Sequence, residues 1–179
     1  MNASTGSVSE MLSQSIVVLT KPSVASFEQY ERRGGMREAL IYVGIAAMLA
    51  GLVGFLFGLL GGITAAIAGL LAGVIGPLVG FFVFSYVIFF MGKQQGGTGT
   101  QDEVFYSTSL YTAPLLAVIG VVNAIPFLGC LLLPLTFVLG LYQIYLGYLA
   151  TRASMNLDQT KAIITVVVAY LAQFLLGAL

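Results

Sequence analysis

No histidine occurs in this chain and cysteine occurs once. Three long stretches, Ala39 to Gly92, Val104 to Thr151 and Ala162 to Leu179, contain no Asp, Glu, Lys or Arg. Each absence excludes something. With no histidine, and no acid inside the apolar stretches, no ordinary side chain is available as a buried general base. The Ser-His and His-Glu constellations of intramembrane proteases are missing as well. Cys130 has no partner for an internal disulfide, and its apolar surroundings mark it as a small packing residue. The net charge is zero, so no broad field draws in nucleic acid or acidic substrates. In Gly92 to Ser107, Lys93 precedes Gly96, Gly97 and Gly99 and no Lys-Ser/Thr pair follows them, which excludes a phosphate-binding loop. The expectation is a protein that is not an enzyme, with no catalytic residue, no metal site and no cofactor.

Hydrophobic residues make up 59% of the chain and charged ones 8%, against roughly a quarter charged in soluble domains. A helix needs about 20 apolar residues to cross the hydrocarbon. Each of the first two charge-free stretches therefore holds two crossings and a tight turn, and the third holds one. The expected fold is all-α: a polytopic membrane bundle of five transmembrane helices, two hairpins plus one, preceded by short interfacial amphipathic helices. The spans fall at about Ala39 to Leu60, Ala68 to Met91, Thr108 to Ile125, Leu131 to Leu149 and Ala162 to Leu179, giving a lead-in over 1–38 and a five-span domain over 39–179. Because each hairpin returns the chain to its starting side, one face carries Lys21, Arg32, Arg33, Arg37, Lys93, Arg152 and Lys161. The positive-inside rule makes that face cytoplasmic, with the amino terminus inside and the carboxyl terminus outside. No cleavable signal peptide is expected, since no basic start precedes an apolar run of sufficient length. The first span, behind Arg32, Arg33 and Arg37, reads as an uncleaved signal-anchor.

In the lead-in, Ser7 and Glu10 have capping-box spacing. Val8, Met11, Leu12, Ile16 and Leu19 recur at helical intervals opposite Ser9, Glu10, Ser13 and Gln14. Pro22 opens a second segment in which Val24, Phe27 and Tyr30 share a face, before a hinge at Arg32 to Gly35. Both segments suit helices lying on the headgroups; docking of a partner is the rival reading. In the first hairpin, Gly51, Gly54 and Gly58 lie three or four apart, as do Gly69, Gly73, Gly76 and Gly80, so the two small-residue stripes are expected to pack on each other. A homodimer seam is the alternative. Pro77 predicts a kink. Gly96, Gly97 and Gly99 predict a flexible loop, followed by a Thr100–Glu103 capping box with Asp102 at the positive end of the helix dipole; a metal pair is the rival for these two acids. Asn156 and Gln159 are spaced to cap the fifth span. Asn123, Tyr142, Gln143 and Tyr145 form a candidate intramembrane polar cluster, able either to bond neighbouring helices or to line a pathway for a neutral solute or lipid. Tyr145 and Tyr148 also suit an interfacial aromatic belt.

Several short signals, taken in order, resemble the Yip family of five-span membrane proteins over nearly the whole chain. They are Lys21-Pro22 with Phe27, Gln101-Asp102-Glu103, Tyr111-Thr112-Ala113-Pro114, Ile125-Pro126-Phe127-Leu128-Gly129, Tyr148, and Asp158-Gln159-Thr160-Lys161-Ala162. The resemblance implies a membrane organiser whose eukaryotic members associate with small Rab GTPases. Here Arg37-Glu38-Ala39-Leu40-Ile41-Tyr42 stands where those members carry an Asp-Leu-Tyr-Gly-Pro-type motif, and the short lead-in resembles the prokaryotic branch, implying a prokaryotic cytoplasmic membrane. The functional expectation is a non-enzymatic adaptor in contact with membrane lipids. It would present a protein partner with a cytoplasmic surface containing Pro22, Phe27, Tyr30, Asp102, Glu103, Asp158 and Lys161, with self-association possible and no nucleic acid bound. The alternatives are a neutral-solute or lipid transporter and a membrane-shaping protein.

Overall fold

Capping chemistry sets where the helices begin. In the computed structural model, which describes residues 7–177, Ser7 accepts from the Glu10 amide while Glu10 accepts from the Ser7 amide, opening α1 (Val8–Thr20). A short α2 (Val24–Glu28) follows the Lys21–Ser23 turn. The first hairpin comprises α3 (Met36–Gly58), extended by a 3-10 turn to Gly61, and α4 (Ile63–Gln94). Thr100 and Glu103 form the second capping box, at the start of α5 (Gln101–Ala124). A single turn, α6 (Leu128–Leu131), joins it to α7 (Leu133–Met155), and α8 (Gln159–Gly177) is the last element. Five of these helices are long and apolar enough to cross a membrane. Residues 1–6 of the lead-in and the last two of the expected fifth span lie outside the described residues.

The helices overrun the charge-free stretches on the charged side: α4 continues to Gln94, α5 begins at Gln101 and α7 runs to Met155. Charge limits the hydrocarbon, not the helix; ions at a helix end cost nothing in water. The expected capping of α8 is corrected. Asp158 accepts from the Lys161 amide there, while Asn156 adopts the left-handed conformation (φ 53°) that closes α7, a geometry asparagine tolerates better than most residues. Helix α4 is continuous through Pro77.

The small-residue stripes meet along half their length. A Cβ added at Gly54 would fall 2.9 Å from the Gly69 carbonyl oxygen, and one at Gly73 2.6 Å from the Gly51 Cα. Gly58 lies as closely against Ala65 and Ala66. These positions are spent inside the monomer, which removes them from a homodimer seam. Gly76 and Gly80 sit off this contact: nothing lies within 4 Å of a Cβ at Gly76, and Gly80 faces Gln173 of α8. The reason is helical drift, since four residues advance a helix by slightly more than a turn and a stripe slides off a straight seam.

Helix α5 is the axis of the charged half of the molecule. Every residue from Val104 to Tyr111 is buried, which requires neighbours on all sides; α3, α4 and α7 supply three walls and α1 a fourth. Phe81 and Phe105 pack edge to face with centroids 5.7 Å apart. Toward the other end the helices separate, leaving a hollow of about 490 Å³ between the first hairpin and the end of α5, lined by Gly54, Gly69, Pro77 and Asn123.

Candidate interaction surface on the charged face

The lead-in is tied into the bundle by its neighbours' tyrosines. The hydroxyls of Ser15 in α1 and Tyr42 in α3 hydrogen-bond at 3.0 Å. Tyr106 of α5 donates to Gln14 at 2.9 Å, and Tyr142 of α7 donates to the Leu19 carbonyl oxygen at 2.5 Å. Met11, Ser15 and Val18 are buried against the spans while Val8, Leu12 and Ile16 remain exposed. The apolar arc seen in the sequence is thus divided: at 100° per residue, Met11, Ser15 and Val18 centre roughly a third of a turn from Leu12 and Ile16. One flank docks, and the apolar belly beside it stays open.

The expected partner surface is rearranged by this docking. Phe27 is fully buried, edge-on to Tyr111 with centroids 6.3 Å apart, and is corrected from partner contact to anchor of α2. Pro22 and Tyr30 are half-buried. Asp102, although exposed, accepts from the Met36 amide at 2.9 Å and so caps α3. Glu103 caps its own helix through one oxygen and accepts from Arg32 Nε at 2.8 Å through the other. Asp158 and Lys161 are exposed together at the start of α8. The glycine-rich segment is a packed turn, a correction to its expected flexibility. Gly97 and Gly99 are buried against Met155 and the Ser154 carbonyl, the Thr98 amide donates to Met155 and Asn156 Nδ2 donates to Thr98 Oγ1 at 3.0 Å. Glycine is required because any Cβ at residue 99 would collide with that carbonyl.

Beside that apolar flank, ionic side chains stay open on this face: Glu28, Arg33, Arg37, Lys93, Asp158 and Lys161 are exposed, and Arg32 keeps 75% of its side-chain surface. Glu31 is the exception, 6% exposed, with Oε2 buried and unpartnered among the described residues. Its pKa is raised from the ordinary 4.5 to about 7 by burial first, then by repulsion from Glu103, with Arg32 pulling the other way. The pattern of the sequence gave no role in holding the lead-in to Glu31, Gln14, Ser15, Tyr42 or Tyr106; the one available signal was their polarity within or beside apolar stretches.

The candidate intramembrane cluster does not assemble. Tyr142 is bonded to α1. Gln143 offers its backbone carbonyl to Tyr170 and lines a shallow groove with Phe137 and Ile144. Tyr145 is 47% exposed, and Asn123 lies at the hollow by the turn that follows α5. Only Tyr142 and Tyr145, three residues apart on one face of α7, come together, with ring centroids 6.5 Å apart; Gln143 lies about 100° round the helix from Tyr142, and Asn123 is at the far end of α5.

Five apolar helices packed around one another define an integral, multi-pass helical membrane protein. The family model for the Yip1 domain matches residues 16–179, nearly the whole chain, and the protein belongs to that family. No curated protein and no solved structure matches significantly.

Proposed function

We propose that this protein is a non-enzymatic membrane adaptor that holds a preformed ionic surface at the cytoplasmic face of a prokaryotic membrane for a protein partner. The carrying observation is the interlocking of that face. Arg32 with Glu103, Asp102 with the Met36 amide, Gln95 with Thr165, and Asn156 with Thr98 join segments far apart in the chain. Exposed charges therefore stand on a fixed frame, and a fixed frame lowers the ordering cost of binding. The opposite end offers a turn of apolar residues, with Phe127 90% exposed and Leu131 74% exposed, suited to lipid.

Photocrosslinkers at Arg37 and Lys161, compared with one at Leu60, test this in native membranes. The expected outcome is a discrete protein adduct at the first two positions, lost on reversing the charge of Arg33 and Lys93. Lipid adducts alone at all three positions would overturn it.

A further inference from the structure

The segment joining α2 to α3 is fastened to the start of α5 at one place, and the charges there do not balance. Arg32 Nε carries a single hydrogen, directed at Glu103 Oε1 2.8 Å away; Glu31 Oε1 lies 3.7 Å from the same nitrogen. The second oxygen of Glu103 is engaged by the Thr100 amide at 2.7 Å, so Glu103 is the ionised partner of Arg32. Glu31 is left as the surplus acid, pressed into the protein with Oε2 unpartnered among the described residues. The charges acting on it are Glu103, Arg32 and Glu28. On the neighbouring helices, Glu10 caps α1, Glu38 accepts from the Gly35 amide and Arg152 donates to Tyr148. Burying a carboxylate without a hydrogen-bond donor is costly, whereas a neutral carboxyl is tolerated.

We infer that Glu31 is a proton-operated latch, whose neutral form keeps the α1–α2 strap seated on α3, α5 and α7 and whose ionised form loosens it. The linkage has one sign. Docked Glu31 holds its proton up to about pH 7, whereas a released glutamate loses it near 4.5. Docking is therefore complete below the released value, weakens as pH rises through the interval between the two, and levels off above about 7. Across that interval, from 4.5 to about 7, the docking equilibrium changes by up to about three-hundredfold. This assignment is independent of what the cytoplasmic face binds.

The test uses the full chain in proteoliposomes, with Cys130→Ser and a spin label on Gln29→Cys, an exposed position beside the segment. The expected result is a mobile spectral component that grows from pH 5 to pH 8, with Glu31→Gln keeping the immobilised spectrum throughout. A label at Gly61→Cys should not respond. Glu103→Gln, which removes the repulsion, should move the midpoint to lower pH. A wild-type spectrum that does not change with pH, a Glu31→Gln titration matching wild type, or a Glu103→Gln midpoint that stays or rises would each overturn the latch.

Discussion

The Tyr142 hydroxyl, midway along α7, donates to the backbone carbonyl of Leu19 in the last turn of α1. A helix end leaves four carbonyls without intrahelical donors, so a side chain from a span completes a helix of the lead-in. Tyr142→Phe should cost about 1 kcal/mol, read as faster amide exchange in α1. Tyr145→Phe, three residues on with an exposed ring, should leave exchange unchanged.

The first hairpin depends on backbone meeting backbone. Gly54→Leu places a side chain where the Gly69 carbonyl already stands, and overpacking of that kind costs roughly 1–3 kcal/mol or more. Thermal unfolding in mild detergent should show a clear drop for Gly54→Leu. Gly76→Ala, where a Cβ meets nothing within 4 Å, should be neutral or slightly stabilising.

Both capping boxes and all five spans were legible because their causes are local or compositional. Ser7 with Glu10 and Thr100 with Glu103 are each three residues apart, and a run without ions marks hydrocarbon wherever it occurs. The roles of Asp102, Tyr142 and Phe27 were not legible. Asp102 serves an amide 66 residues away and Tyr142 a carbonyl 123 residues away, and nothing near either residue in the chain announces it. The same holds for the glycine stripes: spacing identified small faces, but only the crossing of α3 and α4 decides that Gly69 and Gly73 are used there and Gly76 is not.

Phe27 is fully buried edge-on to Tyr111, so Phe27→Ala should cost about 3–5 kcal/mol of strap docking. The five spans themselves should persist. The expected pattern is protease sensitivity at Arg32 and Arg33 with the helix content of the membrane domain retained, measured by fragment mass and circular dichroism. Global unfolding would show instead that the strap is part of one cooperative unit.

Asp102 gives α3 an acceptor that Gly35, having no side chain, lacks. Asp102→Ala should destabilise the start of α3 by about 1 kcal/mol, while Asp102→Asn, which keeps an oxygen in place, should recover most of it. Exchange at the Met36 and Arg37 amides separates the two variants.

Cys130 provides a native probe of the proposed orientation across the membrane. The cysteine is exposed in α6, at the end opposite the ions. If basic residues mark the cytoplasmic side, a membrane-impermeant maleimide added to intact cells should modify Cys130. In a Cys130→Ser chain, Lys161→Cys should react only after the cells are opened. Reaction in the reverse order would turn the bundle over and place the ionic surface, with the proposed partner, outside the cell.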